Sequence, residues 1–250
     1  MKGKAGLILL GLLCYLAFLL ANVPARHAWG WAASSAEMPL VMGGISGTIW
    51  SGEARQLAYN GANLGGVKWR LSPRGLLQGS LLYRFNLRGQ GQQLAGTAGL
   101  AINGDLIISK LKGMIKAELV ARMMQQRFIQ PAGDVDLDLH GVRVEQGRPN
   151  AVTGTIRWQS AGVKSPVTAA IGSIEFNISS REGDIKTTIR DLGGPLSVKG
   201  NAALNADGNY QISVRMLPKG SADPGLVQAI RALGQQDGSG GVNIKYSGQL

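Results

Sequence analysis

Two hydrophobic patterns divide this chain. Near its start the apolar residues are continuous: Gly6 to Ala21 reads GLILLGLLCYLAFLLA, preceded by Lys2 and Lys4 and followed by Arg26, Trp29 and Trp31. From Ile45 onward apolar and polar residues alternate instead. A continuous run calls for an apolar medium all round, whereas alternation gives an extended chain one dry face and one wet face.

At a rise of about 1.5 Å per residue the run is about 24 Å long as a helix, and extending it from Ala5 to Val23 nearly matches a hydrocarbon core of ~30 Å. It therefore predicts a single membrane crossing. A cleaved secretory signal has a similar charged start and apolar middle. Here, though, the block exceeds the usual h-region, and its exit at Val23-Pro24-Ala25 would put a proline beside the scissile bond. An uncleaved anchor fits better. Lysines at the short N-terminal end stay cytoplasmic, and Trp29 and Trp31 suit the opposite interface. Residues 1–32 are then stub, anchor and juxtamembrane segment, and residues 33–250 form a domain outside the inner membrane.

In that domain Ile45, Gly47 and Ile49 alternate with Ser46, Thr48 and Trp50 until Ser51-Gly52. Ala54 to Tyr59 follows, with a turn at Asn60-Gly61. Val67, Trp69 and Leu71 alternate with Lys68 and Arg70 until Pro73, which has no N–H to give a ladder. Leu81 to Leu87 and Leu94 to Ile108 continue the pattern, with Gly89-Gln90-Gly91 and Asn103-Gly104 as reversals. Further on, Val135 to Leu139, Val152 to Trp158, Ile174 to Ile178, Ile185 to Ile189, Leu196 to Val198, Tyr210 to Val214 and Val242 to Tyr246 read as strands. Turns at Glu182-Gly183, Gly193-Gly194-Pro195 and Asp207-Gly208 separate several of them. Loops this short join antiparallel neighbours, so the strands form a meander. About a dozen strands exceed one flat sheet, which predicts strong curvature, as an open half-barrel, or a second layer.

Two segments read as helices. Ile107, Leu111, Ile115, Leu119 and Met123 recur every four residues with Lys112, Lys116 and Arg122 between them, predicting an amphipathic helix over Leu111 to Gln126 within an insertion at about 108–127. A basic amphipathic helix can lie on a membrane, but packing against its own sheet is the commoner fate. The second helix has Asp223 as N-cap, Pro224 in its first turn, Leu226, Val227, Ile230 and Leu233 on one face, and Gly234 past its end.

Composition sharpens this picture. With 37 glycines in 250 residues and 16% charged residues, the chain suits a turn-rich β protein rather than a helical bundle. The net charge of +11 is spread singly along wet faces, without the basic helix or aromatic signature of nucleic-acid binders. Nucleic acid is therefore not an expected partner; an anionic membrane surface or an acidic protein suits the charge better. Cys14, the single cysteine, lies in the apolar run, so the outer domain has no thiol chemistry.

A search for catalytic or ligand-binding sets yields none. Asp134, Asp136 and Asp138 have the alternate spacing that begins a calcium loop, but Leu139 and His140 follow where its glycine belongs, and the interleaved aliphatics put the three carboxylates on one wet face. His27 and His140 stand apart from other ligand residues, which makes no zinc site. Gly89-x-Gly91 lacks the third glycine of a dinucleotide fingerprint. Trp50, Trp69 and Trp158 fill a core more often than they line a groove. No catalytic residue, metal ligand or cofactor is predicted.

Several segments together resemble the type II secretion system protein N family, the general secretion pathway protein N. They are Gly44 to Gly52 (GISGTIWSG), Val67 to Pro73 (VKWRLSP) with Gly75 to Gly79 (GLLQG), and Gly154 to Trp158 (GTIRW). Asp191 to Pro195 (DLGGP), Gly200 with Leu204, Asp207-Gly208 with Tyr210, and Leu233 to Gly238 (LGQQDG) complete the series. The resemblance spans nearly the whole chain. It implies a non-enzymatic inner-membrane subunit of the machine that exports folded proteins from the periplasm through the outer membrane, with other subunits of that machine as partners. The β-rich part is also similar to AsmA-like bridge proteins, which implies, as an alternative, a lipid-handling module with lipid in a β trough.

Overall fold

The computed structural model describes residues 2–35, 39–126, 128–165, 168–232, 234 and 236–249. Two helices come first, α1 (Lys2–Ala21) and α2 (Ala25–Ser35). The strands that follow are β1 (Leu40–Gly47), β2 (Ser51–Tyr59), β3 (Ala62–Leu71), β4 (Ser80–Gly89), β5 (Gln92–Ala101) and β6 (Leu106–Lys116), with the short helix α3 (Pro73–Leu77) between β3 and β4. After α4 (Ala117–Met123) come β7 (Gln130–Glu145), β8 (Arg148–Ser165), β9 (Ala169–Arg181), β10 (Asp184–Gly193), β11 (Leu196–Leu204) and β12 (Asn209–Pro218). Helix α5 (Pro224–Ala232) and β13 (Val242–Gln249) close the chain.

All thirteen strands belong to one antiparallel sheet in which spatial order equals sequence order. The predicted meander is thus correct, and the sheet is open, because β1 and β13 pair only with β2 and β12. Its hairpins depend on local backbone chemistry. Asn60 and Gly61, with φ of +48° and +78°, make the two-residue turn whose twist matches the flanking strands. Most strands run longer than their strictly alternating stretches, since bulges interrupt β7 and β8 without ending them.

The sheet curls around its apolar face. Helix α4 packs against β3, β6 and β7 at once. Strands β3 and β7 are four places apart, roughly 19 Å in a flat sheet, so a helix about 10 Å across touches both only if the sheet wraps it. Ala54, Leu57, Leu64, Val67, Leu87 and Ile115 are buried there with Leu119 of α4, and Asn60 Nδ2 donates to Met123 O at 2.7 Å. A second core lies at the other flank, where Leu226 and Ile230 of α5 cover Ile174, Ile189, Leu196, Val198 and Val242. This agrees with the sequence-based expectation for α5, although Leu233 lies outside the described residues.

The helix predicted over Leu111 to Gln126 is corrected by the structure. Residues through Lys116 continue β6, and the helix is only Ala117–Met123; Arg127, at the end of the expected insertion, lies outside the described residues. A spacing of four suits both periods, because residues four apart share a face of a strand as well as of a helix. What selects the strand is its neighbour: Lys112 and Lys116 pair across the ladder with Asp138 and Asp134 of β7.

Helix α1 covers the apolar run, and its described side chains from Leu10 to Ala21 are exposed. Among the described residues no helix is long and apolar enough to cross a membrane, so the structure does not show the expected span.

Candidate functional site

Antiparallel register sorts the side chains of the domain into an inner and an outer face. On the inner face one row passes from strand to strand through Val67, Leu87, Leu94, Gly113, Leu137, Ile156, Phe176, Ile189, Gly200, Val214 and Ile244. Val67 and Leu87 are buried in the cluster under α4, Ile189 is buried in the cluster under α5, and Phe176, Val214 and Ile244 pack half-buried against that second cluster; Ile156, between the two, is half-buried. The inner face is therefore an apolar trough covered at its flanks by α4 and α5.

Helix α2 lies along the first strands of this trough. Ala25, Ala28, Trp29 and Ala32 face Met42, Trp69 and Phe85 across a cleft of about 430 Å³. Trp29 thus lines an intramolecular cleft, whereas the sequence placed it at a membrane interface. Tyr83 lines the same cleft, and burial pushes its phenol above the ordinary value.

The outer face holds a charged ladder. Arg157, Glu175 and Arg190 are adjacent across β8, β9 and β10. Arg157 Nε donates to Glu175 Oε2 at 2.7 Å, Arg190 Nε to Oε1 at 2.8 Å, and Asn177 Nδ2 to Oε1 at 2.9 Å. The side chain of Glu175 is only 4% exposed. These donors, Arg157 foremost, then Asn177 and Arg190, hold its carboxyl at about 2, against an ordinary 4.5. Around the corner Lys219 Nζ donates to Asp191 Oδ1 at 2.9 Å and holds that carboxyl below its usual value. Asp237 accepts from Arg215 Nε at 2.8 Å, the main reason its carboxyl is also held low.

The three aspartates of β7 belong to this ladder. Asp138 Oδ2 accepts from Lys112 Nζ at 3.0 Å, which lowers its pKa. Asp136 accepts from Gln159. Asp134 Oδ1 sits 2.6 Å from Lys116 Nζ as an ion pair without hydrogen-bond geometry. Asp134 and Asp138 face lysines of β6 and Asp136 faces an amide of β8, rather than one another, and among the described residues no cluster of His, Cys, Asp or Glu could hold a metal ion. His140 lies 3.4 Å from Asp138 Oδ1 on the same ladder, while His27 accepts from Arg26 Nε at the start of α2. The structure does not bring the two histidines together. Gly89 ends β4, and Gly91, with φ of +73°, lies in the β4–β5 turn.

The tryptophans have a role that periodicity did not reveal. Trp50 Nε1 donates to Leu20 O at 2.8 Å, Trp69 Nε1 to Thr48 O at 3.3 Å, and Trp158 Nε1 to Ala132 O at 2.8 Å. Each half-buried ring fastens its strand to a piece of backbone elsewhere, satisfying an indole N–H that burial would otherwise strand.

The two rims of the sheet differ. Odd-numbered strands begin and even-numbered strands end at the rim bearing α4 and α5. The opposite rim carries the β1–β2, β3–β4 and β5–β6 turns, and there the first helix ends: Ile49 N donates to Val23 O at 3.1 Å and Pro24 bridges to Thr48. With the Trp50 bond, these contacts attach the exit of the apolar run to the domain.

Comparison with known proteins accords with this architecture. The sequence model of the family described as "Type II secretion system (T2SS), protein N" matches residues 39–245. Curated relatives named type II secretion system protein N are similar along their whole length. The Vibrio cholerae serotype O1 protein is 25% identical over 257 residues, with all of both chains covered. The Aeromonas hydrophila protein is 26% identical over 269 residues, again with all of both chains covered. The Klebsiella pneumoniae protein is 24% identical, covering all of this chain and 97% of the relative. No solved structure gives a significant match. A family match that runs from before β1 into β13 takes in almost the entire sheet, and the chain belongs to the type II secretion system protein N family.

Proposed function

We propose that this chain is a non-enzymatic inner-membrane subunit of the type II secretion machine, whose outer β domain docks on other subunits and helps export folded proteins from the periplasm across the outer membrane. The observation that carries the reading is the full-length similarity to relatives named for that system. The geometry fits a contact role, since the ordered charges of the outer face are engaged in strand-to-strand pairs rather than converging on a cleft.

In this reading α1 anchors the chain, residues 1–32 being stub, anchor and juxtamembrane segment and residues 33–250 the periplasmic domain. Its 20 residues rise about 30 Å at 1.5 Å each, of which the apolar part beyond Lys4 is about 26 Å, somewhat short of a hydrocarbon core of ~30 Å. Lys2 and Lys4 keep the N-terminus cytoplasmic. Affinity purification of the tagged full chain from detergent-solubilised membranes should recover other secretion subunits, and deletion should impair export. Recovery of none, with export intact, would sink the reading.

A second reading is favoured by one observation, the half-buried Ile156 midway along the inner row, between the clusters that α4 and α5 cover. Apolar surface left between two covered flanks suits a ligand. As a lipid-handling module, the domain would hold acyl chains there. Native mass spectrometry of the protein purified from membranes should then show bound phospholipid; its absence, with export impaired on deletion, leaves the docking role.

A further inference from the structure

The rim on which α1 ends carries a group of exposed apolar side chains that the core does not use. Leu76 and Leu77 stand on α3, Ile102 on the β5–β6 turn, and Leu81, Leu100 and Leu106 continue inward along the trough. Leu77 and Ile102 are each 89% exposed. The two loops that carry them are joined, since Ile102 N donates to Gly79 O at 3.1 Å. Together they form one ordered platform.

We propose that this rim is a membrane-docking edge, whose tips at Leu77 and Ile102 insert into the surface of a phospholipid bilayer. The inference rests on the anchoring of α1 in that bilayer and adds the orientation of the domain upon it. Trp50 Nε1 binds the carbonyl of Leu20, within the last turn of the apolar helix. The β1–β2 turn is therefore level with the end of the span. The α3 and β5–β6 loops share its rim, two and four strand places away, or roughly 10 and 19 Å. They are thus held at the height where an apolar tip meets the lipid.

The other large exposed apolar group on the sheet, Met124, Phe128 and Ile129, belongs to the opposite rim. A strand of ten residues puts it roughly 33 Å away, beyond reach of the same surface. Charge does not drive the contact: the strand ends and turns of this rim carry Arg74, Arg148 and Arg181 against Asp105, Glu145, Glu182, Asp184 and Asp207. Insertion rests on apolar burial, which salt does not screen.

The test uses the full chain in vesicles of phosphatidylethanolamine and phosphatidylglycerol containing lipid labelled with nitroxide either at the headgroup, read by the probes on the rims, or deep in the acyl chain, read by the probe at Cys14. An environment-sensitive fluorophore is attached at Cys14 in the unchanged sequence, or, in a Cys14→Ser background, at Leu77→Cys, Ile102→Cys, Gln90→Cys or Phe128→Cys. Probes at positions 77 and 102 should shift to the blue and lose most of their emission to headgroup-level nitroxides, equally at low and high salt. Probes at 90 and 128, on the far rim, should not respond. Quenching at Cys14 with none at 77 and 102 overturns the docking edge and leaves the anchor intact. A silent Cys14 probe overturns the anchor itself, and the docking edge with it. Shielding of positions 77 and 102 only after addition of other secretion subunits, without lipid quenching, makes the rim a protein interface and also overturns the proposal.

Discussion

The indole N–H of Trp50 donates to the carbonyl oxygen of Leu20, 2.8 Å away and thirty positions earlier in the chain. That oxygen lies in the last turn of α1, where it also accepts a long bond from Val23 N at 3.5 Å. The indole bond supplements this helix end, whose carbonyls lack the full set of intrahelical partners, and fixes the place where the apolar segment meets the sheet.

Trp50→Phe keeps the apolar bulk and removes this bond. A single net hydrogen bond contributes about 0.5–1.5 kcal/mol, so local opening of the joint should rise by roughly two- to tenfold. Amide hydrogen exchange at Ile49, whose N–H donates to Val23 O, reads the change directly. Unaltered protection would show that the Pro24 bridge alone maintains the joint.

Gly52 faces the ring of Trp69 across the β2–β3 ladder. A Cβ added there would come within 2.6 Å of Trp69 Cζ2 and 2.5 Å of Ser46 O. Backbone cannot yield cheaply, so Gly52→Ala should destabilise the domain by about 1–3 kcal/mol. Urea unfolding of the variant checks this, and an unchanged midpoint would place Trp69 elsewhere.

Glu175 gives the domain a defined acid response. Its folded-state pKa is lowered to about 2 from 4.5, so the unfolded chain takes up the proton first as pH falls. The stability it contributes is complete above the unfolded value and disappears as pH drops through the folded one. Glu175→Gln should therefore cost about 1–3 kcal/mol at neutral pH, and the two proteins should converge in melting temperature as pH approaches 2. A gap that persists at low pH would mean that the carboxylate's charge is not what Arg157 and Arg190 hold.

Leu226 anchors α5 to the far flank and is almost fully buried. Truncating it leaves a cavity under a short helix, and Leu226→Ala should cost about 2–5 kcal/mol. Chemical denaturation followed by tryptophan emission will register the loss, because Trp158 packs against the same cluster. A cost well under this range would mean that α5 is dispensable to the flank.

Much of the fold is legible in the residues. Turns such as Asn60-Gly61 and Glu182-Gly183 announce hairpins because few other pairs accept their backbone angles, and short hairpins leave antiparallel order as the only arrangement. The segment around Leu111 misled because an apolar residue at every fourth position serves strand and helix equally. Gly113 blanks the inner position that would have exposed the alternation. The candidate surfaces were less legible still: Trp50 reads as a core aromatic until Leu20 is seen beside it, and Leu77 and Ile102 are unremarkable one at a time.

By itself, then, the sequence determined the apolar leader, the meander, the helix α5 and the sharing of one outer face by Asp134, Asp136 and Asp138, because each follows from interactions between residues near in the chain. Tertiary structure alone decided that the sheet stays open, that Lys112 and Lys116 extend a strand, that Arg157 and Arg190 share Glu175, and that α1 meets the rim bearing Leu77 and Ile102. Those outcomes depend on which distant side chains arrive opposite one another, and that is set by curl and register summed over thirteen strands, a quantity that no local pattern encodes.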